Sequence, residues 1–197
     1  VLEEPVLMLV RRTNGTFNIS DLLRPAEGPP GPPFTGRIEI RDGTLEYRDF
    51  LAETAQLPAV IRLRGIDGVV SAKDEPRYRF SLAGTGDRGR FDSLTVSGIL
   101  DLAKRSAALD VDGRGVSAAY LADYFGTPPG VDVLEGQLRV LTGLGIRWGT
   151  GKTQYTLTGT ANLQRVAVRV PQVAQPVRQV AGSVAFAGDS AAVDLNG

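Results

Sequence analysis

The chain has 197 residues, with 22 basic and 22 acidic side chains giving a net charge of zero, 24 glycines, 12 prolines, and neither cysteine nor histidine. These absences exclude disulfides, thiolate chemistry, Ser-His and Cys-His catalysis and the commonest transition-metal ligands, and the balanced charge removes the electrostatic footprint of a nucleic-acid binder. No apolar run approaches the roughly 18 residues of a membrane-spanning helix.

From the N-terminus, Val6 to Arg11 alternate in polarity and lead into Asn14-Gly15, a strong hairpin signal, after which Thr16 to Ile19 return. The chain starts inside a strand-like pattern without a Met and stops inside another, so it is expected to be part of a longer protein, with any signal peptide or anchor outside it. Residues 1–23 read as a strand-hairpin element of a preceding or first unit. Residues 24–33, RPAEGPPGPP, read as a linker, because proline lacks the donor that a central strand needs. Residues 34–197 read as one β-rich segment.

Within that segment glycines open short apolar-polar alternations: Gly36 to Ile40, Gly43 to Tyr47, Gly68 to Ala72, Gly98 to Leu102, Gly136 to Val140, Gly159 to Leu163 and Gly182 to Phe186. A period of two is that of a strand with one dry and one wet face. Asp42-Gly43 is expected to turn the chain between Ile38/Ile40 and Leu45/Tyr47. Further strands are predicted at 56–64, 77–82, 90–97, 107–112, 134–141, 144–148, 154–159, 163–170, 177–186 and 191–195; a strand of five or six residues is roughly 17–20 Å long. Ser117 to Phe125 breaks the period: Ala118, Leu121 and Phe125 form the stripe of a short amphipathic helix, with Ser117 as N-cap and Gly126 then Pro128 ending it.

Candidate chemistry is sparse. Asp42, Glu46, Asp49 and Glu53 lie close in sequence, but Asp42 suits a turn and Glu46 a wet face, and no aromatic sugar platform accompanies them. Asp110 and Asp112 lack the further oxygens of a calcium loop. Gly149-Thr150-Gly151-Lys152-Thr153 lacks the first glycine of a phosphate loop and precedes a strand, so it reads as a hairpin turn. No catalytic residue, metal or cofactor is expected. The alternation alone leaves open whether the dry face meets a second sheet or a ligand.

The stretch Glu3 to Leu23, EEPVLMLVRRTNGTFNISDLL, resembles a phrase of the AsmA-like and TamB-like envelope proteins: an apolar strand ending in basic residues, then Asn-Gly, an aromatic residue, Asn and a Leu-Leu element. Ile40 to Tyr47, Ala118 to Phe125 and Val133 to Val140 resemble the family's next hairpin, short helix and following strand. The resemblance implies an all-β fold, an elongated curled antiparallel sheet (a β-taco or groove) with one short amphipathic helix. It implies a non-catalytic, lipid-binding segment in the periplasm of a two-membrane bacterium, anchored in the inner membrane by a segment outside this chain and moving phospholipid between the membranes. The expected partners are phospholipid acyl chains, and the inner or outer membrane or an outer-membrane assembly protein through other regions.

The dry rows expected to line such a groove are Ile38, Ile40, Leu45, Tyr47, Tyr78, Phe80, Leu82, Leu94, Val96, Leu109, Val111, Leu138, Val140, Ile146, Trp148, Tyr155, Leu157, Val166, Val168, Val184 and Phe186. Roughly a dozen strands about 4.8 Å apart would make a trough near 60 Å long. Alternative expectations are a scaffold or chaperone-like module offering a sheet edge to an outer-membrane protein, and a carbohydrate-binding β-sandwich.

Overall fold

The computed structural model describes residues 1–14, 16–18, 35–50, 59–72, 77–87, 89–127, 129–148, 154–188 and 190–196. The expected linker 24–33 and the expected turn 149–153 lie outside these residues. The described chain is mostly strand, in one open, curled sheet with one short helix.

The elements in chain order are β1 (Leu2–Glu3), β2 (Val6–Arg11), β3 (Gly36–Asp49), β4 (Ala59–Ala72), β5 (Arg77–Gly86), β6 (Ser93–Asp101), β7 (Ser106–Ser117), α1 (Ala118–Phe125), β8 (Asp132–Arg147), β9 (Gln154–Arg169), β10 (Val177–Ala187) and β11 (Ser190–Asn196). From β3 to β11 each strand pairs antiparallel with the next, a meander. The N-terminal segment joins the same sheet by parallel pairing: β1 and β2 both lie along β3, Leu2 opposite Ile40 and Val6 opposite Thr44. Together they form one edge strand interrupted at Glu4-Pro5. Beyond it Arg11 bridges Phe17, the return expected after Asn14; Gly15 lies outside the described residues.

The strands are longer than the sequence pattern predicts. β3 and β4 run 14 residues each, β8 and β9 run 16, and each absorbs what reads as two short strands. Asp42-Gly43 is not a hairpin: Asp42 takes a left-handed φ of 52° inside β3, as a bulge, and its N–H donates to Asp67 Oδ1 at 3.1 Å. An extra residue on one strand is accommodated by such a bulge, which bends the strand and keeps the ladder on both sides. Gly65 does the same in β4, Gly115 in β7, Gly136 and Arg165 in β8 and β9, and Gln179 in β10. Placed by register, Asp42 lies beside Gly65, while Gly115, Gly136, Arg165 and Gln179 gather across β7 to β10 and make a crease there; β5 and β6, between the two groups, have no left-handed residue.

Of the seven glycines expected to open strands only Gly36 does so; the others are internal. Gly98 and Gly159 sit on the dry face, and a Cβ on either would collide with the neighbouring strand, against the carbonyl oxygens of Ala108 and Leu141 respectively. Close strand approach on the inner side of a curled sheet demands glycine there. Changing Gly98 to Val is expected to destabilise the fold by about 2 kcal/mol through overpacking, read as a lower denaturant midpoint with an unchanged slope.

Candidate functional site

Cross-strand register collects the apolar residues onto one face. One row runs Ile40, Gly68, Leu82, Val96, Val111, Thr142, Gly159, Phe186, Ala191. A second runs Ile38, Val70, Phe80, Gly98, Leu109, Leu144, Leu157, and a third Tyr78, Leu100, Ala107, Ile146, Tyr155. Leu94, Gly113, Val140, Ala161 and Val184 form a fourth, with Leu138 opposite Leu163 beside it. Leu45 and Tyr47 face Leu63 and Ile61 on the same side, and Val168 faces Val177.

Nearly every residue expected on the dry face is therefore brought there. Two differ. Trp148 lies past the end of β8, where its N–H donates to Arg105 O at 2.9 Å. Val166 is 3% exposed, packed against Gly136 at the crease, so it belongs to the core and does not line an open surface. Ile61, Leu63, Val70, Leu100, Leu144, Leu163 and Val177 join the face; the same alternation carries them, hidden where bulges shift its phase.

No second sheet covers this face among the described residues. Its side chains are mostly half-buried by one another and by the curl, and Tyr155 and Leu157 remain 63% and 40% exposed. The buried apolar side chains among the described residues, such as Leu63, Phe91, Ala118 and Val166, gather mainly at the end where the helix sits.

That end is closed by α1. Ser117 caps it, its hydroxyl accepting from Tyr120 N, and Gly126 N donates to Ala122 O at the C-terminus. The helix packs chiefly on β8 and lightly on β7, yet Tyr124 OH donates to Asp49 Oδ2 on β3 at 2.6 Å. On a flat sheet β3 and β8 would stand roughly 24 Å apart. Curling brings them around the helix. Asp49 shares the parity of Leu45 and Tyr47, so α1 lies on the dry side and the sheet is concave there.

Asp49 is fully buried, and its Oδ2 also accepts from Tyr47 OH at 2.8 Å and Arg11 at 3.4 Å. A buried carboxylate is tolerated only when paired and hydrogen-bonded. One carboxylate thus ties β2, β3 and α1. Close by, Arg90 stacks 5.1 Å from the centre of the Tyr120 ring and donates to Val60 O on β4. The two-residue parity from Leu45 through Tyr47 marks Asp49 as inward-facing already in the sequence; its partners on β2 and α1 are not legible there.

The opposite face is a ladder of paired charges. Glu46 accepts from Arg62 and Arg48, which hold its carboxyl below the usual range, and Asp112 is held down likewise by Arg139 and Arg114. Along the crease this face has a polar furrow of about 670 Å³, lined by Gln137, Gln164, Arg165, Arg178 and Gln179 among others.

Burial, and then the bond to Asp49, push the Tyr47 and Tyr124 phenols above the ordinary tyrosine value. The unfolded chain releases those protons first and so binds fewer protons than the folded one, which makes stability complete below about pH 10 and progressively lost above it. Tyr124→Phe is expected to cost about 2 kcal/mol at neutral pH and to flatten the alkaline decline, as read from melting temperatures across that range. A Tyr124→Phe protein that melts like wild type at every pH would show that the Asp49 tie does not hold the helix.

No protein-family model, no curated protein and no solved structure matches this chain.

Proposed function

We propose that this chain is a non-catalytic lipid-binding segment whose curled sheet shelters phospholipid acyl chains, as part of an envelope protein that moves phospholipid between the inner and outer membranes of a two-membrane bacterium. The observation that supports the reading is the dry face, continuous across the sheet and without a second layer among the described residues. Exposed apolar area of that extent wants a cover. Each methylene removed from water is worth about 0.8 kcal/mol, so a sixteen-carbon chain gains on the order of 10 kcal/mol as an upper bound. That term has no direction, so an acyl chain can slide from one row to the next without a polar anchor.

A second reading is favoured by one observation. The edge strand β2 presents Val6, Leu7 and Met8 at 75%, 55% and 46% exposure, a surface suited to strand addition by an outer-membrane protein under assembly. Asn18 already bonds Val10 N and Met8 O, which shields part of that edge. A carbohydrate-binding sandwich would need a second sheet.

Purified from cells, the protein is expected to carry phospholipid detectable by mass spectrometry of organic extracts. Val140→Asp and Leu157→Asp should abolish lipid recovery while leaving the circular dichroism spectrum unchanged, because a hydrated carboxylate obstructs the tail but stays solvated on an open face. Thr156→Asp and Thr158→Asp, on the opposite face, should change little. Wild-type protein free of lipid, with dry-face variants that unfold, would sink the proposal.

A further inference from the structure

The sheet's two ends differ in charge. Over most of the outer face arginines are paired: Arg41 with Glu39, Arg62 with Glu46, Arg139 with Asp112. At the end away from α1, Arg37 and Arg79 flank Ser71 on neighbouring strands, and Lys104, Arg105 and Arg147 gather around the turn between β6 and β7. Among the described residues none of these cations has a carboxylate partner within ion-pair distance. Arg77 and Asp101, which do pair there, fix the turn: Asp101 Oδ2 accepts from Arg77 at 3.0 Å and its Oδ1 from Lys104 N at 2.9 Å.

The turn carries an apolar tip. Leu102 is 41% exposed, next to exposed Ala103. Trp148, the sole tryptophan of the chain, has its backbone tied to the same turn, its main-chain N–H donating to Arg105 O. The row Tyr78 to Tyr155 is the last dry row before this end, so the apolar face runs up to it.

We infer that this end docks on the surface of an anionic lipid bilayer, with Leu102 and Trp148 at the level of the headgroups and the unpaired cations over anionic phosphates. Interfacial tryptophan beside basic residues is the arrangement that headgroup regions favour, and each lysine or arginine near an anionic surface strengthens binding by about fivefold. The inference deepens the lipid reading, on which it rests for its purpose: a tail leaving the bilayer here meets the dry face directly.

The test uses the full chain with vesicles of phosphatidylcholine alone and of phosphatidylcholine with a third phosphatidylglycerol, read by co-flotation and by tryptophan emission. Flotation with the anionic vesicles only, a blue shift of Trp148 and loss of both at high salt are expected. Lys104→Glu with Arg147→Glu should lower binding by about tenfold or more, and Leu102→Asp should reduce the blue shift. Arg12→Glu with Arg169→Glu, at the helix end, should leave binding unchanged. Equal binding to neutral vesicles, no binding, or an equal loss in the helix-end variant would overturn docking at this end; so would capture by an acidic protein or nucleic acid without vesicle binding. Lipid in extracts of wild type without flotation refutes docking and leaves the trough reading, whereas flotation without lipid in extracts does the reverse.

Discussion

A sheet with one apolar face and no second layer must either meet a partner or bend around what covers it, because an exposed apolar surface of that extent is unfavourable in water. Here the bend is built into the backbone. Left-handed residues interrupt the pairing in two groups, Asp42 with Gly65 on β3 and β4, and Gly115, Gly136, Arg165 and Gln179 on β7 to β10. The strands therefore turn together and the dry face becomes concave. Glycines on that face, Gly98 and Gly159 among them, make room where the bent strands approach.

The curl needs something to hold its margins, since a meander has contacts only between successive strands. Asp49 supplies the tie at one end. Its carboxylate receives hydroxyls from Tyr47 and Tyr124 and a guanidinium from Arg11, so the edge strand, β3 and the helix after β7 are joined at one buried atom. The apolar core follows from this closure: Leu63, Phe91, Ala118 and Val166 are buried where the helix sits. Among the described residues the rest of the face has no such plug.

Polarity along the strands gives the two ends different chemistry. Wet-face carboxylates such as Glu46 and Asp112 are each shared by two arginines, so those arginines have a carboxylate within ion-pair distance. Around the turn after β6, where Asp101 pairs with Arg77, Lys104, Arg105 and Arg147 have no such partner among the described residues, and Leu102 and Trp148 lie beside them. A chain of zero net charge thus groups several unpaired cations among its described residues in one place, which its composition conceals.

The all-β class, the dry and wet faces and the helix at Ser117 to Phe125 with its cap were set by local sequence alone, because a two-residue or 3.6-residue period and a capping hydroxyl act within a few residues. Strand length was not. Gly43 and Gly136 read as starts, yet they lie inside β3 and β8, since a bulge and a turn share the same residues and only the neighbouring strand decides between them. The parallel edge formed by β1 and β2, the meeting of Asp49 with Tyr124 across 75 positions, and the gathering of Lys104 with Arg147 on one end likewise arise from curl and register. Those depend on contacts far apart in the chain, which no local pattern encodes.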